Sequence, residues 1–359
     1  MSFPATAGSV LPIIVSAFIA AALVALLATP LIVRVVGSLR ILDHPDERRV
    51  HDRPLPRGGG VAVVIAFLVV GGGLVVFGSG IPGMPGLRGV EPANLVGLFG
   101  GAVLAAAIGA LDDRFDLRAR WQLLGQLGLA AFAVMTGISV AFIGDPFGPG
   151  NIQFAAPVGI AFTVVWIVGM INSLNFIDGL DGLSSGIALI AAVTLGLLSL
   201  TSQVNQPLVA VLCFAVAGGL LGFLRYNFHP AVIFQGSAGV MFMGYVLAVL
   251  AILGSAKVVV ALLVLAVPII DTFWVIVRRL SSGRSPFSPD RGHIHHRLLD
   301  LGLSHRATVL LIYAVCATLG LMSLLVSSAT GVLAFAGALV VFGVVVFALR
   351  RGPAREVVS

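Results

Sequence analysis

Apolar residues follow one another in long runs along this chain, and short polar segments separate the runs. A run of about 17 or more apolar residues is long enough to cross a lipid bilayer as a helix. The runs lie at residues 10–33, 60–78, 94–111, 121–142, 154–171, 183–201, 207–224, 238–254, 257–277, 307–327 and 331–349. The pattern predicts an all-α, polytopic membrane protein with eleven transmembrane helices in a single domain, residues 1–359.

The composition excludes a soluble domain of this size. Hydrophobic residues make up 58% of the 359 residues, charged residues only 10%, and the mean hydropathy is +1.10. Cys213 and Cys316 each lie inside an apolar run, which predicts packing residues and not a disulfide or a metal pair. No basic residue precedes the first run, which favours a retained span over a signal peptide.

Arginine and lysine predict the orientation of the chain. An odd number of spans puts the two termini on opposite sides, and nineteen basic residues then fall on one side against Arg88 and Lys257 on the other. By the positive-inside rule the rich side is cytoplasmic, with the N-terminus outside and the C-terminus inside a plasma membrane. The net charge of +6 then reflects topology and attraction to lipid headgroups, and no solvated basic domain indicates a nucleic-acid partner.

The polar chemistry is concentrated on the predicted cytoplasmic side. All seven histidines and all carboxylates except Glu91 and Asp145 lie there. Five segments carry them and are expected to form one site: 34–60, 112–120, 172–183, 225–237 and 278–306. A transporter needs polar groups near the bilayer midplane or on both faces, so this distribution favours an enzyme at the cytoplasmic leaflet.

The segment Asn172–Leu183, N-S-L-N-F-I-D-G-L-D-G-L, joins two apolar runs. Carboxylates at such a boundary are candidates for function. If the segment is helical, Asn175, Asp178 and Asp181 lie on one face, because they are three residues apart. Two carboxylates and an amide oxygen suit Mg²⁺. Phosphate groups of the substrate would complete the coordination of the ion.

Adjacent carboxylates, Asp112 and Asp113, end another run. They cannot share a helix face, so at most one is expected to point at the acidic segment, as a metal ligand or a base. The alternative is a helix end neutralised by neighbouring arginines in weak surface ion pairs.

Two glycine-rich segments are candidates for anion binding. Pro54–Gly60, P-L-P-R-G-G-G, combines Arg57 with three backbone amides, and Gly236–Gly239 begins a span with N–H groups that we expect to be free. The alternatives are an ordinary positive-inside loop for the first and a tight helix-packing turn for the second. Asn227 and His229 lie at a helix mouth just before the second segment.

The longest cytoplasmic segment contains three closely spaced histidines, His293, His295 and His296, beside Arg291 and Arg297. This mixture suits an anionic phosphate better than zinc, because no cysteine or carboxylate trio accompanies the histidines. Asp271, inside the preceding span, is a charge that a purely structural helix would avoid, although a polar contact within the bundle is the simpler account.

These motifs resemble, in order and over essentially the whole chain, the polyprenyl-phosphate N-acetylhexosamine-1-phosphate transferase superfamily of the glycosyltransferase 4 type. The motifs are P-L-P-R-G-G-G at Pro54–Gly60, L-D-D-R-F-D-L at Leu111–Leu117, N-F-I-D-G-L-D-G-L at Asn175–Leu183 and D-R-G-H-I-H-H-R-L at Asp290–Leu298. Eleven spans and the H-I-H-H-R form make the chain more similar to the N-acetylglucosamine branch than to the muramoyl-pentapeptide branch.

The resemblance implies that a polyprenyl phosphate attacks the β-phosphate of a UDP-sugar in a membrane of anionic lipids. The implied metal is Mg²⁺, with Mn²⁺ as an alternative. A homodimer is left open. It implies that Asn175 and Asp178 bind the metal. The implied catalytic residues are Asp112, Asp113, Asp178 and Asp181. The implied substrate-binding residues are Arg57, Asn172, Asn227, His229, Asp290, Arg291, His293, His295, His296 and Arg297.

The chain departs from the family pattern at two positions. Ser237 stands where the family has a metal-binding aspartate, and Gln122 stands where a lysine is common. A neutral hydroxyl supplies no charge to Mg²⁺. Either another carboxylate, such as Asp178, Asp181 or Asp113, takes over the metal, or the chain binds prenyl phosphate or nucleotide-sugar without turnover.

Overall fold

The structure is a computed structural model of the chain that describes residues 6–43, 54–84, 86, 90–144, 150–254, 261–262, 264–283, 285, 292–325, 337 and 341. Asp290, Arg291 and most of the predicted last span, 331–349, lie outside the described residues.

The described residues form an all-α bundle with two short hairpins. The helices are α1 Thr6–Ser38, α2 Val61–Gly80, α3 Pro92–Phe115, α4 Ala119–Met135, α5 Ala156–Ile177, α6 Leu183–Ser199, α7 Pro207–Asn227, α8 Gly236–Leu253, α9 Ala266–Ser281, α10 Ile294–Asp300 and α11 His305–Leu325. The antiparallel hairpins pair β1 Leu42–Asp43 with β2 Leu55–Pro56, and β3 Phe142–Gly144 with β4 Asn151–Gln153.

Seven of the described helices are long and apolar enough to cross a membrane: α1, α2, α3, α5, α7, α8 and α11. Helix α6 is also apolar but has only 17 residues. The prediction of an all-α polytopic membrane protein is therefore confirmed. The number of eleven spans and the orientation of the chain stay predictions.

Helix α8 is the centre of the bundle, because all 18 of its residues are buried. Helices α3 and α5 pack against it, while α1 packs on α7 and α7 packs on α6. Two polar side chains tie the central helices together. Tyr245 donates to the carbonyl of Gly97 at 2.8 Å, and Trp166 donates to the carbonyl of Ala248 at 3.1 Å. Such bonds satisfy polar atoms where lipid and apolar side chains cannot.

The predicted span 121–142 is too long at its C-terminal end. Helix α4 ends at Met135, and Gly137 has a positive φ of 84°, which stops the helix. Ile138 and Val140 continue the apolar pattern but are buried outside the helix, and residues 142–144 enter the second hairpin. The predicted helix was too long because the buried residues that follow α4 are also apolar.

The predicted helical face of Asn175, Asp178 and Asp181 is wrong. Helix α5 ends at Ile177, and Asp178 to Gly182 form a turn before α6. Gly182 adopts a φ of 78°, a left-handed conformation that a helix interior does not contain. The two aspartates therefore lie in a loop and contact different partners.

Candidate active site

The loop that carries Arg57 is hydrogen-bonded to the segment that leads into α8. The N–H of Phe234 donates to Pro56 at 2.9 Å, and the amides of Gly59 and Gly60 donate to the carbonyls of Phe234 and Gln235 at 2.8 and 2.9 Å. These two glycine amides already have acceptors, so the predicted anion cradle at Gly58–Gly60 is not formed by them. The pairing instead brings Arg57 to the N-terminus of α8.

The N-terminus of α8 binds a carboxylate of the chain itself. Asp113 accepts hydrogen bonds from the backbone N–H of Ser237 at 2.7 Å and of Ala238 at 3.0 Å. Arg57 Nε lies 2.8 Å from the same carboxylate. The prediction that the Gly236–Gly239 amides are free for phosphate is therefore wrong, because Asp113 occupies two of them.

The neighbouring carboxylate, Asp112, is buried and is held by three donors. Its Oδ1 accepts from the backbone N–H of Leu117 at 3.0 Å and from Gln122 Nε2 at 2.8 Å. Its Oδ2 accepts from the Ser237 hydroxyl at 2.5 Å, and that hydroxyl in turn accepts from Arg57 at 2.9 Å. Both positions at which the chain departs from the family pattern thus contact Asp112.

Asp112 and Asp113 both reach the N-terminus of α8, and the expectation that at most one of them points at the acidic segment stays a prediction. Both carboxylates contact Ser237, Asp112 through the hydroxyl and Asp113 through the backbone N–H. Because the N-terminus of α8 meets the last turn of α3, two adjacent positions of α3 reach different atoms of the same residue.

Asp178 lies just beyond the end of α5 and is half-buried. It accepts a hydrogen bond from the Ser184 hydroxyl at 2.5 Å. Burial raises the pKa of Asp178 to about 6, opposed by the Ser184 hydrogen bond and the charge of Arg57 and reinforced by Asp113 and Asp181. Sequence reasoning missed Ser184, a hydroxyl that directly follows the D-G-L-D-G-L motif.

Asp181 faces the other way and pairs with histidine. It lies 2.7 Å from His229 Nδ1 and accepts from the N–H of Ala231 at 3.1 Å. His229 stacks on His305, with ring centroids 4.0 Å apart and planes at 18°. Asp181, His229 and His305 place one ligand atom each within 4.8 Å of one another. A metal ion in the plane of one stacked ring would lie out of the plane of the other, so this trio suits hydrogen bonding better than metal binding.

The histidine segment closes over the acidic turn. His293 Nδ1 lies 2.6 Å from Asp271, and the buried ring of His295 stacks on His293 at 5.6 Å and 12°. A Cβ on Gly179 would lie 2.2 Å from His295 Nε2, so the ring rests on the backbone between Asp178 and Asp181. Burial, together with His296, His293 and His305, lowers the pKa of His295 well below its ordinary value.

The remaining predicted site residues have other surroundings. Asn172 donates to Gln126 at 2.6 Å and to the carbonyl of Val168, and Asn227 is buried between Ser185 and the carbonyl of Ile233. These contacts tie helices together, and the substrate roles of both asparagines stay predictions. Asn175 is half-buried in the last turn of α5, His296 adjoins His295 at 4.3 Å, and Arg297 donates to the carbonyl of Gly292 at 3.2 Å.

The charges of the site fit a hard divalent cation. The charges of Asp113 and Asp181 act on Asp178, and Arg57 acts on both Asp113 and Asp178. Negatively charged oxygen ligands are those that Mg²⁺ prefers. Asp178 is the best placed of the four candidate carboxylates, because its hydrogen bond comes from a neutral hydroxyl while Arg57 pairs with Asp113.

Comparison with known proteins shows the family of the chain. The model of glycosyl transferase family 4 matches residues 95–255, from α3 through α8. A relative from Bacillus subtilis (strain 168), named probable undecaprenyl-phosphate N-acetylglucosaminyl 1-phosphate transferase, is 36% identical over 88% of this chain and 86% of its own length. The chain belongs to glycosyl transferase family 4.

Two further relatives have related names. Decaprenyl-phosphate N-acetylglucosaminephosphotransferase of Mycobacterium leprae is 35% identical over 82% of this chain and 78% of its own length. Undecaprenyl-phosphate alpha-N-acetylglucosaminyl 1-phosphate transferase of Yersinia pestis is 29% identical over 81% of this chain and 78% of its own length. The resemblance to the N-acetylglucosamine branch is confirmed. Four candidate carboxylates, Asp112, Asp113, Asp178 and Asp181, lie inside the residues that the family model matches.

Proposed function

We propose that this membrane enzyme transfers N-acetylglucosamine 1-phosphate from its UDP-sugar to a polyprenyl phosphate at the cytoplasmic leaflet of the plasma membrane. The observation that carries the proposal is the convergence of four carboxylates and Arg57 at one end of an apolar helix bundle. The names of the relatives support the sugar and the lipid. The arginine distribution supports the cytoplasmic side.

The reaction is a phosphoryl transfer. An oxygen of the lipid phosphate forms a bond to the β-phosphorus of the UDP-sugar, the bond from that phosphorus to the bridging oxygen breaks, and UMP leaves with the bridging oxygen. The products are polyprenyl-diphospho-sugar and UMP. The lipid phosphate is already anionic at neutral pH, so positioning and charge neutralisation supply most of the catalysis.

The residues present divide this work. Asp178 and Asn175 would hold Mg²⁺, which supplies positive charge to the phosphate oxygens. Arg57 is held by Asp113 and Ser237 and adds a fixed positive charge for the phosphate oxygens. His293, His295 and His296 lie above the acidic turn, and their rings bind the nucleotide-sugar there. Asp112 orients Ser237 and thereby Arg57, because its oxygens accept from Ser237, Gln122 and Leu117.

The test is UMP release by the purified full-length protein from UDP-N-acetylglucosamine, polyprenyl phosphate and Mg²⁺. We expect release by the wild type, its loss with EDTA, and a reduction of roughly 10²-fold or more in Asp178→Asn, which removes a charged ligand. Asp116→Asn is the matched control, because Asp116 is exposed and its left-handed φ of 49° suits asparagine. A wild type that releases no UMP, or equal losses in both variants, would overturn the proposal.

A further inference from the structure

Asp271 is a charged residue in the interior of α9, in the part of the helix that precedes Arg278 and Arg279. It is only 1% exposed. Its two oxygens have separate partners: one lies 2.6 Å from His293 Nδ1, and the other accepts from the backbone N–H of Ile294 at 2.9 Å. A carboxylate buried in such a helix is costly unless its partners compensate it. Both partners belong to the histidine segment, so Asp271 attaches that segment to the bundle.

The contact also determines how the His293 ring is protonated. A carboxylate only accepts hydrogen bonds, so Nδ1 must carry the proton that lies between the ring and Asp271. Nε2 is then the nitrogen that remains for a ligand. The ring orientation is fixed as well, because the Ile294 N–H bond holds the carboxylate in place beside it.

His293 connects Asp271 to the acidic turn. Its ring lies nearly parallel to that of His295, which rests on Gly179. Gly179 lies between Asp178 and Asp181, so a shift of His293 would be passed to the loop that carries the metal-binding candidate. The ring centroid of His293 also lies 5.9 Å from that of Phe176, in the last turn of α5.

We propose that Asp271 is a positioning residue that holds His293 with Nδ1–H toward the protein, so that the lone pair of Nε2 accepts a hydrogen bond from an O–H or N–H group of the nucleotide-sugar. The inference rests on the proposed function for the identity of the ligand. Asp271 itself touches no substrate; it acts through the orientation and tautomer of His293.

The variant Asp271→Asn separates this role from simple attachment of the segment. An asparagine can keep both hydrogen bonds only if its oxygen accepts from Ile294 and its amide donates to Nδ1, which moves the ring proton to Nε2. We expect unchanged thermal unfolding and a fall in kcat/KM of roughly 10–100-fold, the usual effect of disturbing a supporting partner. Asp271→Leu removes both bonds and should lower stability and kcat/KM together.

Thr272→Val is the matched control on the same helix. Thr272 is buried beside Asp271, and its hydroxyl has no hydrogen-bond partner within the described residues. The near-isosteric change should leave kcat/KM and unfolding unchanged. In a His293→Gln background, Asp271→Asn should cause no further loss, because the residue through which it acts is gone. Wild-type kcat/KM in Asp271→Asn, or an equal loss in both backgrounds, would overturn the inference.

A readout without turnover keeps this inference separate from the proposed function. In ¹⁵N-histidine-labelled protein, at a pH where imidazoles are neutral, the His293 signal should report Nδ1–H in the wild type and Nε2–H in Asp271→Asn. The His293→Gln spectrum identifies the signal. If the wild type releases no UMP, the proposed function fails, but the two spectra still test the role of Asp271. The same His293 tautomer in the wild type and in Asp271→Asn would contradict that role.

Discussion

Asp112 is buried and Asp178 is half-buried, and the two carboxylates differ in what surrounds them. Asp112 accepts from Ser237, Gln122 and a backbone N–H, whereas Asp178 has a neutral hydroxyl, Ser184, as its donor and a pKa raised to about 6. A buried charge without close compensation gains most from a cation. We therefore predict that Asp178 takes over the metal-binding function that the family pattern places at position 237.

The raised pKa of Asp178 predicts the pH dependence of the metal requirement. Below about pH 6 the carboxyl is protonated, and the proton competes with Mg²⁺ for the same oxygens. The Mg²⁺ concentration for half-maximal UMP release should rise about tenfold per pH unit below that value and stay level above it. Ser184→Ala removes a hydrogen bond that lowers the pKa, so it should move this break to higher pH. The prediction would be contradicted if the Mg²⁺ concentration for half-maximal UMP release did not change with pH in either protein.

The two departures from the family pattern should behave as a pair. Ser237→Asp puts a second carboxylate beside Asp112, and the resulting buried repulsion should lower the thermal unfolding temperature, at a cost of about 3–5 kcal/mol. Gln122→Lys puts a cation at the same carboxylate, so the double variant should regain most of the loss. Unfolding without Mg²⁺, with Gln122→Lys alone as the control, measures the coupling. Simple additivity would show that the positions act independently.

At the scale of helices, the apolar runs predicted most of what the structure contains. Runs 154–171 and 207–224 correspond to Ala156–Ile177 and Pro207–Asn227. The errors lie at the ends of the helices, where the local backbone conformation stops a helix although the apolar pattern continues. Gly137 stops α4 although apolar residues continue, and the turn at Asp178 to Gly182 breaks the predicted helical face.

The partners of the site residues could not be predicted, because they come from distant parts of the chain. Arg57 and Ser237 are 180 positions apart, and Asp113 and Ser237 are 124 apart. Motifs identified the residues that carry the chemistry. Only the packing of α3 against α8 shows that Asp113 occupies the backbone amides expected to bind phosphate.

The close approach of α2 and α8 predicts which glycines in α2, or directly before it, are required. A Cβ on Gly60 would lie 2.2 Å from the Cα of Gly239, whereas nothing lies within 4 Å of a Cβ on Gly73. Gly60→Ala should force the helices apart, at a cost of about 1–3 kcal/mol, and weaken UMP release by moving Arg57 from Asp113. Gly73→Ala should change neither thermal unfolding nor activity. Equal behaviour of the two variants would mean that the helices are not in close contact.

At the scale of the whole molecule, the described site residues lie at one end of the bundle. The N-termini of α2, α6 and α8 meet the C-termini of α3, α5 and α7 there, which is the alternation expected of helices that cross a membrane in turn. A lipid substrate with its phosphate at one membrane surface requires this one-sided arrangement.

The orientation of the bundle is tested by cysteine labelling. Ser79, at the end of α2 away from the site, and Ser282, just after α9 beside Arg278 and Arg279, are both exposed. A membrane-impermeant maleimide should label Ser79→Cys in intact cells and Ser282→Cys only after permeabilisation, because the basic side is predicted to be cytoplasmic. The wild type is its own control, since Cys213 and Cys316 are fully buried and should stay unlabelled. The reverse pattern would place the carboxylates and histidines outside the cell, away from any cytoplasmic nucleotide-sugar, and would contradict both the topology and the proposed reaction.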